Sequence, residues 1–235
     1  MSFDILQWLE DSPLKLVRGK GSPETGGCWM SALSKYSNES WSDHPDCVCP
    51  VIRELCVSVN DMLPDDASRG RVIGPHILEP VGTRTDDKSV IEKRRWLLVD
   101  AAVRQFAPAA LYASGMRKEA AKLRQLPAVS ADNAAHAAAC VDATDAHVAA
   151  HAAACAASAC ARAAYFAASA RLNDAAQDAV GAAVEAARAA DASTREKFAS
   201  EFVMPVIMQM CSIGSKVPQE MACGVTEFKT AVGCN

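Results

Sequence analysis

Aromatic residues make up only 6% of this 235-residue chain. No segment alternates apolar and polar residues over the length of a strand. With so few rings, alanine supplies much of an apolar share of 50%. Alanine has the best helix propensity, and its small side chain lets backbones approach closely. The fold these absences leave is all-α: a multi-helix bundle with long Ala-rich helices in its C-terminal half. No stretch has the roughly 20 apolar residues of a membrane span, so no membrane association is expected. The first residues carry Asp4 and Glu10 and no basic region of the kind that opens a signal peptide. A reducing, cytoplasmic setting with mostly free thiols is therefore expected for the ten cysteines. The net charge of −4 gives no overall nucleic-acid footprint. There is no G-x-S-x-G, P-loop, G-x-G-x-x-G or kinase signature, so neither enzymatic turnover nor a cofactor is expected.

Several helix boundaries can be read directly. Pro50 suits a first helical position, and Ile52, Leu55, Cys56, Val59 and Leu63 recur at helical spacing up to Pro64. Asp65 and Asp66 can cap a short helix through Ile73. Asp86 to about Phe106 reads as a long helix, apolar on two sides, which Pro108 breaks or kinks. A further helix is expected from about Leu111 to Leu126, before Pro127. Ser130 or Asp132 can open the Ala-rich stretch, in which residues 131–170 hold 22 alanines. Asn173 to Ala190 continues in the same style. Ser193 with Glu196 has the spacing of a capping box, and Pro205 is expected to kink the helix that follows. The composition changes near residue 128. This suggests an N-terminal helical part, 1–128, and an Ala-rich part, 129–235, packed together as one unit.

One repeat is unambiguous: AAHAAAC occurs at Ala134–Cys140 and again at Ala149–Cys155. On a helix turning about 100° per residue, His136, Cys140, Thr144, His147, His151, Cys155, Ser158, Arg162, Tyr165 and Ser169 fall within one sector. Alanine fills most of the remaining circumference. This stripe is either the solvent side of closely packed Ala helices or the lining of a cleft. In the second reading His136, His147, His151, Cys155, Arg162 and Tyr165 bind a ligand or partner. Asp174, Asp178, Glu185 and Arg188 share a side of the next helix.

Other constellations leave alternatives open. From Arg84 to Arg124 there are ten basic and five acidic residues, so Arg94 and Arg95 sit in a segment that is either an anion-binding face or an ordinary solvated one. His147, His151 and Cys155 at i, i+4 and i+8 have chelating spacing but no evident fourth ligand. His44, Cys47, Cys49 and Cys56 do not follow a standard zinc-finger spacing; Cys47 and Cys49 precede a helix, whose dipole is expected to lower a thiol pKa. No metal is assigned to either cluster. Asp61, Asp65 and Asp66 with Arg69, Arg71 and Arg84 suit an ion-pair cluster around a turn.

DHPDCVCPVIRELCVSVNDMLPDD (Asp43 to Asp66), continued by VGTR (Val81 to Arg84) and the Ala-rich helices, resembles a poorly characterised family of Ala-rich, helical, immunity-like proteins of bacteria and their phages. The similarity is one of arrangement and spans roughly residues 26 to 210. It implies an accessory protein that acts by binding, and it transfers no catalytic residue. The expectation is a binding or inhibitor protein whose partner is a host protein or a small anionic ligand, with self-association possible and nucleic acid not expected. Two alternatives stand beside it: a metal-binding protein or metal-dependent enzyme using the His/Cys stripe, and a self-assembling structural protein built on Ala faces.

Overall fold

The structure is a computed structural model that describes residues 16–142, 156, 159–160, 162–164, 166, 172–188 and 192–214. The architecture is all-α. The described residues contain no strand, only two isolated bridges, Leu16 with Gly27 and Ser22 with Gly26. None of the described helices is long and apolar enough to cross a membrane. The chain divides into two compact units, Met1–Asp86 with Cys211–Asn235 and Asp87–Met210. The compositional change near residue 128 therefore falls inside the second unit.

In the first unit, α1 (Trp29–Tyr36) packs on α2 (Pro50–Met62), and α3 (Asp66–Ile73) follows. Pro50 stands at the start of α2, as its missing N–H predicts. Buried polar side chains tie the loops to these helices. Asn60 accepts from the Trp29 N–H at 3.2 Å and donates to the Val17 carbonyl at 2.9 Å. The Trp29 indole donates to the Ile77 carbonyl at 2.8 Å. Thr83 accepts from the Cys49 N–H and donates to the Pro80 carbonyl. Glu39 accepts the N–H groups of Asp46 and Cys47, which fixes the loop before α2.

Asp65 caps α3 by accepting the Ser68 N–H at 2.7 Å. Hydrogen bonding from Ser68 holds its carboxyl below the ordinary range. A lowered folded-state pKa gives stability that is present above the unfolded carboxyl pKa, about 3.9. That stability is lost as pH falls through the folded value. Asp65→Ala is therefore expected to lower the melting temperature at neutral pH, with the gap to wild type closing in acid. Melts between pH 7 and pH 2 check this; a gap that persists undiminished at the acid end would mean the carboxylate is not the cap.

In the second unit, α4 (Lys88–Ala101) packs against α8 (Leu172–Arg188), and α5 (Ala107–Ala113) packs against α6 (Arg117–Arg124) and α8. The other helices here are α7 (Ala134–Asp142), α9 (Ala192–Phe198) and α10 (Met204–Ser212), the last running past the unit's end at Met210. Ala175, Ala176, Ala179, Ala182, Ala183, Ala186 and Ala187 form the buried face of α8, so methyl groups set its close packing. Buried Asp100 accepts from Arg104 through both carboxylate oxygens at 2.6 Å and from the Val129 N–H at 2.8 Å.

Two boundaries differ from the expectation, and two prolines sit where the chain stays helical. Pro108, expected to break or kink its helix, does not break it, and the helix also runs on through Pro205, where only a kink was expected. Each follows a five-residue π turn, Ala102–Phe106 and Ala199–Val203. The residue before each proline donates five residues back, Ala107 to the Ala102 carbonyl and Met204 to the Ala199 carbonyl. The wider turn keeps the chain helical although proline has no N–H and its ring crowds the carbonyl four residues earlier. The helix expected over Leu111–Leu126 is interrupted after Ala113, where Gly115 takes φ +82°, a left-handed value that suits glycine. α9 already includes Ser193, so Ser193 is not its N-cap.

Candidate functional site

Within the second unit, a cleft of about 550 Å³ is lined by Ala109, Tyr112, Ala113, Arg124, Ala186, Thr194, Lys197, Phe198, Glu201 and Phe202. Its volume lies in the range of small-molecule sites. α5 contributes the Ala109, Tyr112 and Ala113 side, α6 Arg124, and α8 the methyl of Ala186. α9 and the following π turn contribute the remainder. Both π turns adjoin this site: one leads into α5, and the other carries Glu201 and Phe202. Such turns are frequent at functional positions because the inserted residue re-aims the side chains around it.

The aromatic part is ordered ring by ring. Phe106 meets Phe198 edge-on, with centroids 6.0 Å apart. Phe198 stacks on Phe202 at 5.6 Å and 25°. Phe198 is buried and Phe202 half-buried. Tyr112 is 51% exposed and is the one large apolar side chain left exposed among the described residues. The Arg117 and Arg124 guanidiniums lie over its ring at 5.3 and 5.9 Å from the centroid, within cation–π range. Lys197 and Glu201 form a loose, exposed ion pair at 3.9 Å. Arg124 has no carboxylate or hydrogen-bond acceptor among the described residues, so its planar fork is braced by a ring while its donors remain available.

Those residues singled out from the sequence that the structure describes are placed elsewhere. His136 is exposed on α7, 3.5 Å from the half-buried Cys140 thiol. The buried face of α7 is Ala134, Ala137, Ala138 and Val141, so here the small residues point inward. Arg162 is exposed and pairs with Asp178 of α8 at 3.1 Å, while Ala159, Cys160, Ala163 and Ala164 are buried. None of these described stripe residues lines the cleft. His147, His151, Cys155 and Tyr165 lie outside the described residues. His136→Ala combined with Arg162→Ala is expected to change stability by no more than about 0.5 kcal/mol, because both side chains meet solvent. Urea unfolding checks this; a loss several times larger would place the stripe in the core.

Arg94 is not on an anion-binding surface. It is fully buried on α4 and donates to the Met210 carbonyl at 3.0 Å. Arg95 is half-buried, and its Nε has no hydrogen-bond partner among the described residues. The basic segment's contribution to the cleft comes instead from Arg124.

The cysteine clusters are also reordered by burial. All seven described cysteines are free thiols. No group of three or more His, Cys, Asp or Glu side chains among the described residues has the geometry to hold a metal. The Cys47 thiol is pushed up, not down: burial dominates and the Glu39 carboxylate adds repulsion, which together outweigh the lowering by the Ser37 hydroxyl that donates to its sulfur. Of the expected ion-pair cluster, Arg69 pairs with Asp66 at 2.7 Å, whereas Asp61 accepts the Gly19 N–H.

Sequence reading missed Tyr112, Lys197, Phe198 and Glu201. The available signals were Phe198 and Phe202 at i and i+4, and a tyrosine inside a basic segment. No protein-family model, curated protein or solved structure matches this chain.

Proposed function

We propose that this chain is a non-enzymatic binding protein whose small anionic ligand occupies the cleft of the second unit. The observation that carries this reading is an available guanidinium fork, Arg124, at the edge of a cleft whose apolar lining is aromatic rings and alanine methyls, with Lys197 and Glu201 paired to each other. Sites of this make-up bury an apolar body while a few polar groups fix its orientation. The resemblance of residues 26 to 210 to Ala-rich immunity-like proteins of bacteria and phages points the same way, to an accessory protein that acts by binding. Ala113 is exposed at the cleft, so a larger side chain there obstructs the site without overpacking the core. Ala113→Trp should leave the melting temperature unchanged and remove small-molecule contacts seen by ligand-observed NMR with a fragment set of acids, amines and neutral compounds. If the wild type contacts no fragment at the cleft residues, or the tryptophan variant retains every contact, the reading is wrong.

A further inference from the structure

We infer that the cleft takes a planar aromatic monocarboxylate, with its ring against the Phe198–Phe202 pair and its carboxylate on Arg124. This rests on the cleft being the binding site and names the ligand class. Three observations carry it. The first is shape. Ala109, Ala113 and Ala186 offer methyl surfaces, and the phenyl rings offer flat faces, with no branched aliphatic side chain among the lining residues. Aromatic rings prefer offset stacking or edge contacts, and Phe106, Phe198 and Phe202 already form a series that one more ring extends.

The second is the state of Arg124. A guanidinium lying over the exposed Tyr112 ring is held by its face, which leaves its edge donors available to bind a carboxylate with two parallel hydrogen bonds. Lys197 is a poorer anchor, because Glu201 already faces it. The third is charge. Arg124 and Lys197 against Glu201 leave the lining one positive charge in excess, which a monoanion neutralises.

Naphthoate, its neutral counterpart naphthalene methanol and the non-aromatic octanoate serve as probes. Binding to the full chain is read by titration calorimetry and by two-dimensional NMR at the cleft residues. Naphthoate should bind at the cleft, with naphthalene methanol and octanoate each weaker by roughly ten-fold, as loss of a charge-assisted hydrogen bond or of ring stacking implies. Arg124→Met should weaken naphthoate by a similar factor and leave naphthalene methanol unchanged. Arg124 is exposed, so this variant keeps the fold. If naphthalene methanol or octanoate binds as well as naphthoate, or Arg124→Met does not discriminate, the ligand class is wrong while the cleft remains a binding site. If none of the three perturbs cleft residues in the wild type, the ligand class is overturned. The fragment set and Ala113→Trp then decide the site itself.

Discussion

Truncation of Phe198 to alanine is expected to destabilise residues 87–210 by about 3–5 kcal/mol, the range for removing a buried phenyl ring. Phe198 is only 5% exposed and touches one ring through its edge and another through its face. The loss therefore has two parts, apolar burial with a residual cavity and two aromatic contacts of about 0.5–1.5 kcal/mol each. Phe198→Leu should restore much of the burial and none of the ring geometry, and so fall between wild type and alanine. Amide hydrogen exchange is the suitable measurement, because it resolves the opening free energy of this unit separately from the other. A loss below about 1 kcal/mol would mean the ring is not part of the unit's core. Because Phe198 also lines the cleft, Phe198→Leu should weaken a bound aromatic ring more than it weakens the fold. Phe106→Leu, which does not line the cleft, should show the reverse order.

The local rules of helix ends were legible in the sequence, and tertiary burial was not. Pro50 and Asp65 act where they do because a missing N–H and a capping carboxylate affect only neighbouring residues. Alanine content foretold close-packed helices for the same reason: the propensity belongs to the residue itself. Arg94 was read as a surface charge because an arginine on a helix usually is one. Its burial depends on a carbonyl of Met210, far along the chain, which no periodicity reveals. Cys47 shows the same limit. A position just before a helix lowers a thiol pKa, but the burial and the Glu39 carboxylate that reverse the direction are set by the loop's folding. Proline marks where each helix is disturbed, but the local rule does not say that a wider turn just before it keeps the helix running. The cleft brings together residues from α5, α6, α8 and α9, so its chemistry exists only after these helices pack.

Replacement of Arg69 by methionine is expected to cost about 3 kcal/mol, although the substitution preserves most of the buried side-chain volume. The reason begins with Pro64. The Asn60 carbonyl of α2 would ordinarily accept from the residue four positions on, which is Pro64 and has no N–H. Arg69 supplies the missing donor: its Nε reaches the Asn60 carbonyl at 2.8 Å, and its Nη2 reaches the Leu63 carbonyl at 2.9 Å. The C-terminus of α2 is thus capped by a side chain of the next helix, and a cation there also opposes the negative end of the helix dipole. Arg69 is 3% exposed, so these bonds are made away from water. Methionine leaves two buried carbonyls without this donor, at about 1–3 kcal/mol each before relaxation. The bond to Asp66 adds little, since that carboxylate is 55% exposed. Arg69→Lys keeps the charge but not the planar fork, and one ammonium cannot reproduce both carbonyl contacts at their present angles, so it should recover less than half of the loss. Hydrogen exchange at the amides of the last turn of α2, with thermal melts of all three proteins, measures the effect. An Arg69→Met protein within about 0.5 kcal/mol of wild type would show that water or a rearranged turn satisfies these carbonyls, and that the arginine is not the cap.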